Sequence, residues 1–447
     1  MAPNNTMLIS FCNFSYWRCV ERSSCNARFQ TSLVVSRQDV PSIEKQPTDH
    51  NHLPALNKYI RAKVCSEMRD SLRTKPLEPI LQTYENVVTV CPYPKDLLPT
   101  HASLNSMMKR QVACGRPCLP KSRQDIKLEG EWAETQNGEP FLVKTERSDN
   151  DILIFTTASN LSVLSKCDTL YVDGTFKTCP KLFTQFFTIH GLVEEFVVPL
   201  VYVLLADKSC KTYFDMFNCL RTEMARHMLP LNPKVIISDF ESGLIAAIKL
   251  QFPNALHAGC HFHFVQAVWR TVQDLQLVPA YKNDPEVRLI LQLCWALAFV
   301  PAAEVLQQFD AIVDAIPQTR EYVLRPFIAY FRTTWLNGIF PIPMWNKYGC
   351  DHKHRTNNAV ESWHARLKRR SNNHPNIFVR VLSIKHEQAL TEITLVQALN
   401  GGTPAPRRPK YVRLENRLLK LHGQHVDGAI RTQQLLRRVR FAAAKYQ

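Results

Sequence analysis

The chain has 447 residues, 45% of them hydrophobic, and a formal net charge of +16. The apolar content excludes a disordered chain, and the length exceeds one ordinary core, so two to three domains are expected. No apolar run is long enough to span a bilayer: Phe196 to Ala206 is too short, and Gln292 breaks Leu289 to Ala303.

The positive excess favours a polyanionic partner, most simply nucleic acid, over a basic surface with no partner. No basic region followed by a clean apolar run opens the chain, so no signal peptide is expected. The 14 cysteines then read as reduced thiols in cytosol or nucleus, with metal ligands open among them.

Residues 1–55 alternate aromatic and β-branched residues with polar ones, the pattern of short strands. Cys19 and Cys25 bracket a polar turn. His50 and His52 are two apart, and on an extended segment both face one side. The four could close a tetrahedral zinc site; the alternative is unrelated Cys and His residues. Trp17-Arg18-Cys19, then Cys25, then His50-Asn51-His52 resembles the FLYWCH-type zinc finger, a small β-rich DNA-binding module, over residues 11–54. That family has more strand sequence ahead of its Trp-Arg-Cys, so the resemblance implies a finger shortened on its N-terminal side.

Residues 56–164 read as a helical and irregular connecting region. Leu56, Ile60, Val64 and Met68 recur every four residues, and Pro76 and Pro79 end that helix. Cys114 and Cys118 lack two further assignable ligands and read as ordinary thiols. Ile152 to Phe155 and Asn160 to Lys166 lead into the next domain.

Residues 165–380 carry strands at Thr169–Thr178, Phe183–His190 and Phe196–Leu205, then a helical face of Tyr213, Phe217, Leu220 and Met224. A buried strand at Val235–Ser238, a helix at Leu244–Leu250 and a strand at Ala255–Ala258 follow. A three-strand meander followed by alternating helix and strand is the order of an RNase H-like α/β domain with a mixed sheet. Residues 264–345 read as a helical insertion within it.

Asp173 and Asp239 stand at strand ends that would be neighbours in such a sheet. Glu361 lies on a helix, in TNNAVESWHARLKRR. Three carboxylates held close repel one another and stay ionised only around cations, which suits two Mg²⁺ or Mn²⁺ ions about 4 Å apart. Glu241 is the nearest rival acid, but it opens a helix, where the dipole favours a carboxylate regardless of catalysis. Cys260 and His263, with His257 and His261 nearby, could order the site, contact DNA or bind metal. His364 shares a helical face with Glu361.

Arg366, Lys368, Arg369 and Arg370 could bind DNA or serve nuclear import; such clusters also occur on plain solvated helix faces. After residue 380 the chain becomes a basic tail, 381–447, with a stripe of Leu414, Leu418 and Leu421. The tail could hold phosphates or pack loosely on the body.

The ordered set DGTF, SDFE, Cys260-x-x-His263 and NNAVESWH resembles the transposase domain of Mutator-like elements, the MULE domain, over residues 165–375. The resemblance implies an RNase H-like DDE transposase with Asp173, Asp239 and Glu361 as its acids and Mg²⁺ or Mn²⁺ between them. It implies DNA cleavage and strand transfer by a nuclear homo-oligomer on paired DNA ends, with no membrane partner. Two other readings stand beside it: a domesticated, catalytically inactive DNA-binding protein, and an RNase H-like nuclease acting on RNA.

Overall fold

The computed structural model describes residues 6–11, 14–19, 25–32, 42–46, 48–52, 56–74, 78, 80–114, 118–143, 151–350, 358–370, 373–404, 406 and 408–443; for 6–18, 29, 31, 370 and 441–443 it describes the backbone alone. The chain forms two compact units, Met1–Cys118 and Leu119–Gln447.

The first unit opens with an antiparallel sheet in the order β1 (Thr6–Phe11), β2 (Phe14–Cys19), β3 (Arg28–Ser32), β4 (Ile43–Lys45). Cys19 N–H donates to the Ala27 carbonyl at 2.8 Å, which draws the two cysteine-bearing segments together. Three helices follow: α1 (Leu56–Thr74), α2 (Ile80–Thr89) and α3 (His101–Cys114). The four-residue stripe of α1 is buried as Ile60, Val64, Met68 and Leu72, against Val87, Leu104 and Met108.

The second unit is built on a six-stranded mixed sheet. Its strands are β5 (Ile152–Phe155), β6 (Thr169–Thr175), β7 (Gln185–Val193), β8 (Phe196–Leu205), β9 (Val235–Ser238) and β10 (Leu256–Gly259), in the order β10-β9-β6-β7-β8-β5. β6, β9 and β10 run parallel; β6, β7, β8 and β5 pair antiparallel. The expected meander and alternation are present. The sixth strand, β5, was expected only as a lead-in; it pairs with β8, from Ile152 opposite Leu205 to Phe155 opposite Tyr202.

Side-chain alternation divides the sheet into two faces. Leu170, Val172, Phe187, Ile189, Val201 and Val203 pack on α5 (Cys210–Arg226) and α6 (Ser242–Gln251), with α4 (Ala158–Leu164) beside them. The intervening Phe186, Tyr202 and Leu204 face the other way. They meet Trp363 and Leu367 of α13 (Asn358–Arg370) and Phe378 and Val381 of α14 (Ile377–Leu399).

Between β10 and α13 the chain builds a helical body: α7 (His261–Asp274), α8 (Val278–Asn283), α9 (Pro285–Ala296), α10 (Val305–Asp314), α11 (Gln318–Phe331) and the short α12 (Ile342–Trp345). Its core holds Phe264, Trp295, Phe309, Phe331, Trp335 and Trp345.

Two boundaries and the packing of the tail differ from the sequence expectation. Residues from 119 onward belong with the sheet, because Ile126, Leu128, Trp132 and Phe141 are buried in its core. α14 runs through residue 380, so the tail begins after Leu399. The basic tail is well packed: Leu414, Leu418 and Leu421 of α15 (Pro409–Val426), and Leu435 and Val439 of α16 (Thr432–Ala443), enter the helical core. Its charges line the faces away from that stripe. Among the described residues no helix is long and apolar enough to cross a membrane.

Candidate functional site

Asp173 lies two residues past Tyr171, and Asp239 two past Ile237. Tyr171 and Ile237 are partners across the parallel β6–β9 pair, so the two carboxylates reach the same level of the sheet. Alternation puts Asp173 on the side of Tyr171, away from Leu170 and Val172. On that side Tyr171, Ile237, Cys260 and Val360 form a small buried cluster. Each is at, or one or two residues before, a polar group of the site. That apolar floor is what seats Glu361, in the first turn of α13, over the strand ends.

Asp173 senses both of the other acids. Burial drives the Asp173 carboxyl up to about 7; His263 opposes this, while Asp239 and Glu361 reinforce it. Burial likewise raises Asp239 and Glu361, again against His263. Burial alone would lower His263, but its hydrogen bond to Cys260 and the charges of Cys260, Asp173 and Glu361 raise it to about 9. His263 Nε2 lies 3.4 Å from Glu361 Oε1. The site is therefore one buried anionic cluster with a single imidazolium drawn into it.

Gly174 follows Asp173, and a Cβ there would come within 1.5 Å of the Gln185 side-chain amide, which would have to shift. The Gly174 N–H donates to Asp173 Oδ1 at 3.0 Å. His364 Nε2 stands 3.5 Å from Asp173 Oδ2. Burial, then Arg380, holds His364 down to about 3, so it faces the carboxyl as a neutral ring. Behind it, Thr188 Oγ1 lies 3.4 Å from His364 Nε2 and 3.0 Å from His190 Nε2.

Glu241, the rival acid, is occupied elsewhere. Lys208 Nζ donates to its Oε2 at 2.9 Å and Tyr213 Oη to its Oε1 at 2.7 Å. Lys208 Nζ also sits 3.8 Å from the centre of the exposed Phe176 ring. Lys208, Thr188 and His190 were not singled out as site residues from the sequence, and Tyr213 was read only as part of a helical face. Lys208 had a readable signal, because it follows an apolar strand just as the two aspartates do; the others lie within elements and have none.

Cys260, His263 and Glu361 present ligand atoms within 4.8 Å of one another. The two neighbouring histidines do not join them. His261 packs edge-on against Phe299, with ring centres 4.7 Å apart, and His257 Nε2 lies 2.7 Å from the Ser238 hydroxyl. Of the basic cluster on α13, Arg366 is committed to a pair with the buried Glu387, at 2.9 Å. Lys368 and Arg369 are exposed, and the Arg370 side chain lies outside the described residues. Cys114 and Cys118 are exposed thiols.

In the first unit Cys19, Cys25, His50 and His52 also gather their ligand atoms within 4.8 Å. Cys19 Sγ is 3.1 Å from His52 Nε2, Cys25 Sγ 3.5 Å from His50 Nδ1, and the two ring nitrogens are 3.3 Å apart. A tetrahedral zinc site has ligand-to-ligand edges of about 3.3–3.8 Å, so this set could bind zinc. Burial would raise the Cys25 thiol. The Ala27 and Asn51 backbone, with Cys19 and His50, lowers it to about 6 instead, which favours the ligating thiolate.

Residues 169–267 match the MULE transposase domain. A search of curated proteins finds no match to the chain. The MULE match spans β6 to the first half of α7 and includes Asp173, Asp239, Cys260 and His263. Glu361 comes from beyond it, brought back by the helical body. The match supports a transposase-derived function.

Proposed function

We propose that the chain is a transposon-derived DNA transposase of the DDE type on an RNase H-like core. It would bind DNA in the nucleus and cut and rejoin phosphodiester strands. What supports this reading is that Asp173 of β6 feels the charges of both Asp239, just past β9, and Glu361 of α13. Two of the three lie within the stretch matching the MULE transposase domain.

The donor set fits a hard divalent ion. All three acids offer oxygen, all are raised by burial, and each would be relieved by a bound cation. Asp173, Asp239 and Glu361 would hold Mg²⁺ or Mn²⁺, which when bound would activate the attacking hydroxyl and neutralise the leaving oxygen at phosphorus. The chain's own residues do the positioning. The Gly174 N–H fixes one Asp173 oxygen, and neutral His364 borders the other without adding charge. The exposed Lys368 and Arg369, following Glu361 on the same helix, offer phosphate contacts. Upstream, the zinc-competent Cys19, Cys25, His50 and His52 would support an FLYWCH-like finger as a second DNA contact. Assembly as a homo-oligomer on two DNA ends would follow from the same reading.

The test is nicking of supercoiled plasmid with Mg²⁺ or Mn²⁺ by the natural chain and by Asp239→Ala. Nicking lost in the variant alone supports the reading. No nicking by either, on DNA that both bind and that carries the element's own ends, replaces it with a catalytically inactive, domesticated DNA-binding protein. Cleavage confined to RNA replaces it with the nuclease.

A further inference from the structure

We propose that Cys260, His263 and Glu361 form a second transition-metal site of zinc type, one whose ion would share Glu361 with the hard-metal cluster. That the shared carboxylate is catalytic rests on the proposed function; the site itself does not.

The three ligands come from two helix starts. Cys260 ends β10 and caps α7, and its N–H donates to the Ser238 carbonyl at 2.7 Å, fixing it beside Asp239. His263 is three residues on, in the first turn of α7, so the Cys-x-x-His spacing returns the imidazole toward the thiol; the two are hydrogen-bonded. Glu361 enters from the first turn of α13. Its Oε1 is buried without a hydrogen-bond partner among the described residues, with His263 Nε2 as its charged neighbour at 3.4 Å.

The chemistry of the set selects the ion. One thiolate, one imidazole and one carboxylate are the ligand types of zinc, and three protein ligands leave a fourth position for water or a phosphate oxygen. A thiolate is a poor ligand for Mg²⁺ or Mn²⁺, which prefer oxygen. The two aspartates and this trio therefore sort ions by softness, and they meet at Glu361. An ion on the trio would hold that carboxylate toward α7 and away from the Asp173–Asp239 pair.

Cobalt(II) is the probe, because a thiolate-to-cobalt charge-transfer band reports sulfur ligation directly. The natural full-length chain should bind roughly two Co²⁺ with thiolate bands: one at Cys19, Cys25, His50 and His52, one at Cys260. Cys260→Ser should lose about one equivalent and about a third of the thiolate absorption, one sulfur of three, while Cys19→Ser loses from the other site. His263→Gln, at a partly exposed ring, should lose the same equivalent as Cys260→Ser. A natural chain that binds a single thiolate-ligated equivalent, kept in Cys260→Ser, overturns the site. So does a second equivalent that survives both Cys260→Ser and His263→Gln. Plasmid nicking is read separately: absent nicking with two cobalt bands rejects the catalytic reading alone, and present nicking with one band that Cys260→Ser keeps rejects this site alone.

Discussion

His263 Nε2 lies 3.4 Å from Glu361 Oε1, and His263 is also the positive group that opposes the upward shift of Asp173 and Asp239. One imidazolium thus serves as counter-ion to one buried and two half-buried acids. His263→Gln keeps a polar side chain but removes the charge, so the acids lose their internal compensation. Without divalent ions the variant should unfold at lower temperature, by the equivalent of about 2 kcal/mol. Saturating Mn²⁺ should close most of the gap, because the cation replaces the missing charge. Thermal unfolding of both proteins in chelator and in Mn²⁺ checks this; an equal gap in both conditions would refute the counter-ion role.

The same crowding predicts that the site is a stability cost when empty. Asp173 is raised to about 7 mainly by burial, so at neutral pH a large part of its population pays for an unfavourable charge. Asp173→Asn preserves shape and the acceptor for the Gly174 N–H. The metal-free variant should be more stable by about 2 kcal/mol in urea unfolding at pH 7.5, and metal-dependent cleavage should fall at least about a thousandfold. Stability unchanged or lowered would show that the carboxylate is not strained in the empty site.

The site was partly legible in the sequence because acids at the ends of apolar runs are conspicuous. Tyr171-Val172-Asp173 and Ile236-Ile237-Ser238-Asp239 each run from a buried apolar stretch into an acid, Asp173 inside β6 and Asp239 just past β9. The partnership of Glu361 was visible only through the resemblance, since its helix is separated from β9 by the whole helical body. The role of His263 was not legible: a histidine one turn into a helix gives no sign that three carboxylates surround it. Arg366 read as a nucleic-acid contact because a run of cations hides which one has a private acid. That acid, Glu387, is on another helix and is 1% exposed at its side chain. The tail read as either phosphate-holding or loosely packed because its charges outnumber the leucines that anchor it.

Acid sensitivity should come from histidines buried as neutral rings. Burial, then Lys249 and Lys347, lowers His257 to about 4, and burial lowers His190 well below its ordinary range. The folded pKa lies below the unfolded value of 6.5, so the unfolded chain binds more protons in between. Stability is therefore full above 6.5 and is lost as pH falls toward about 4. His257 should contribute a loss on the order of 2 kcal/mol between pH 7.5 and 5. His257→Gln can still donate to the Ser238 hydroxyl and does not titrate. Urea unfolding across this range should give a shallower slope for the variant; an identical slope would place the titration elsewhere.

The cluster of Cys19, Cys25, His50 and His52 gives a prediction in metal content. Cys19 is buried, with its Sγ 3.1 Å from His52 Nε2. Cys19→Ser removes one of four ligands and should lower zinc by about one atom per chain, measured on protein purified without chelator. Zinc content equal to that of the natural chain would reject the site.

Arg366 and Arg369 separate structure from binding on one helix. Arg366→Ala would remove one partner of the buried Glu387, held at 2.9 Å by a half-exposed guanidinium, at a cost of about 1 kcal/mol. Its main effect should be a lower unfolding midpoint. Arg369 is exposed, so Arg369→Ala should leave the midpoint within about 0.5 kcal/mol. It should instead weaken DNA binding and reduce the slope of log affinity against log salt by about one. Unfolding curves and DNA titrations at several salt concentrations would read both. A reversed pattern, with Arg366 setting the salt slope and Arg369 the stability, would return the DNA contact to Arg366.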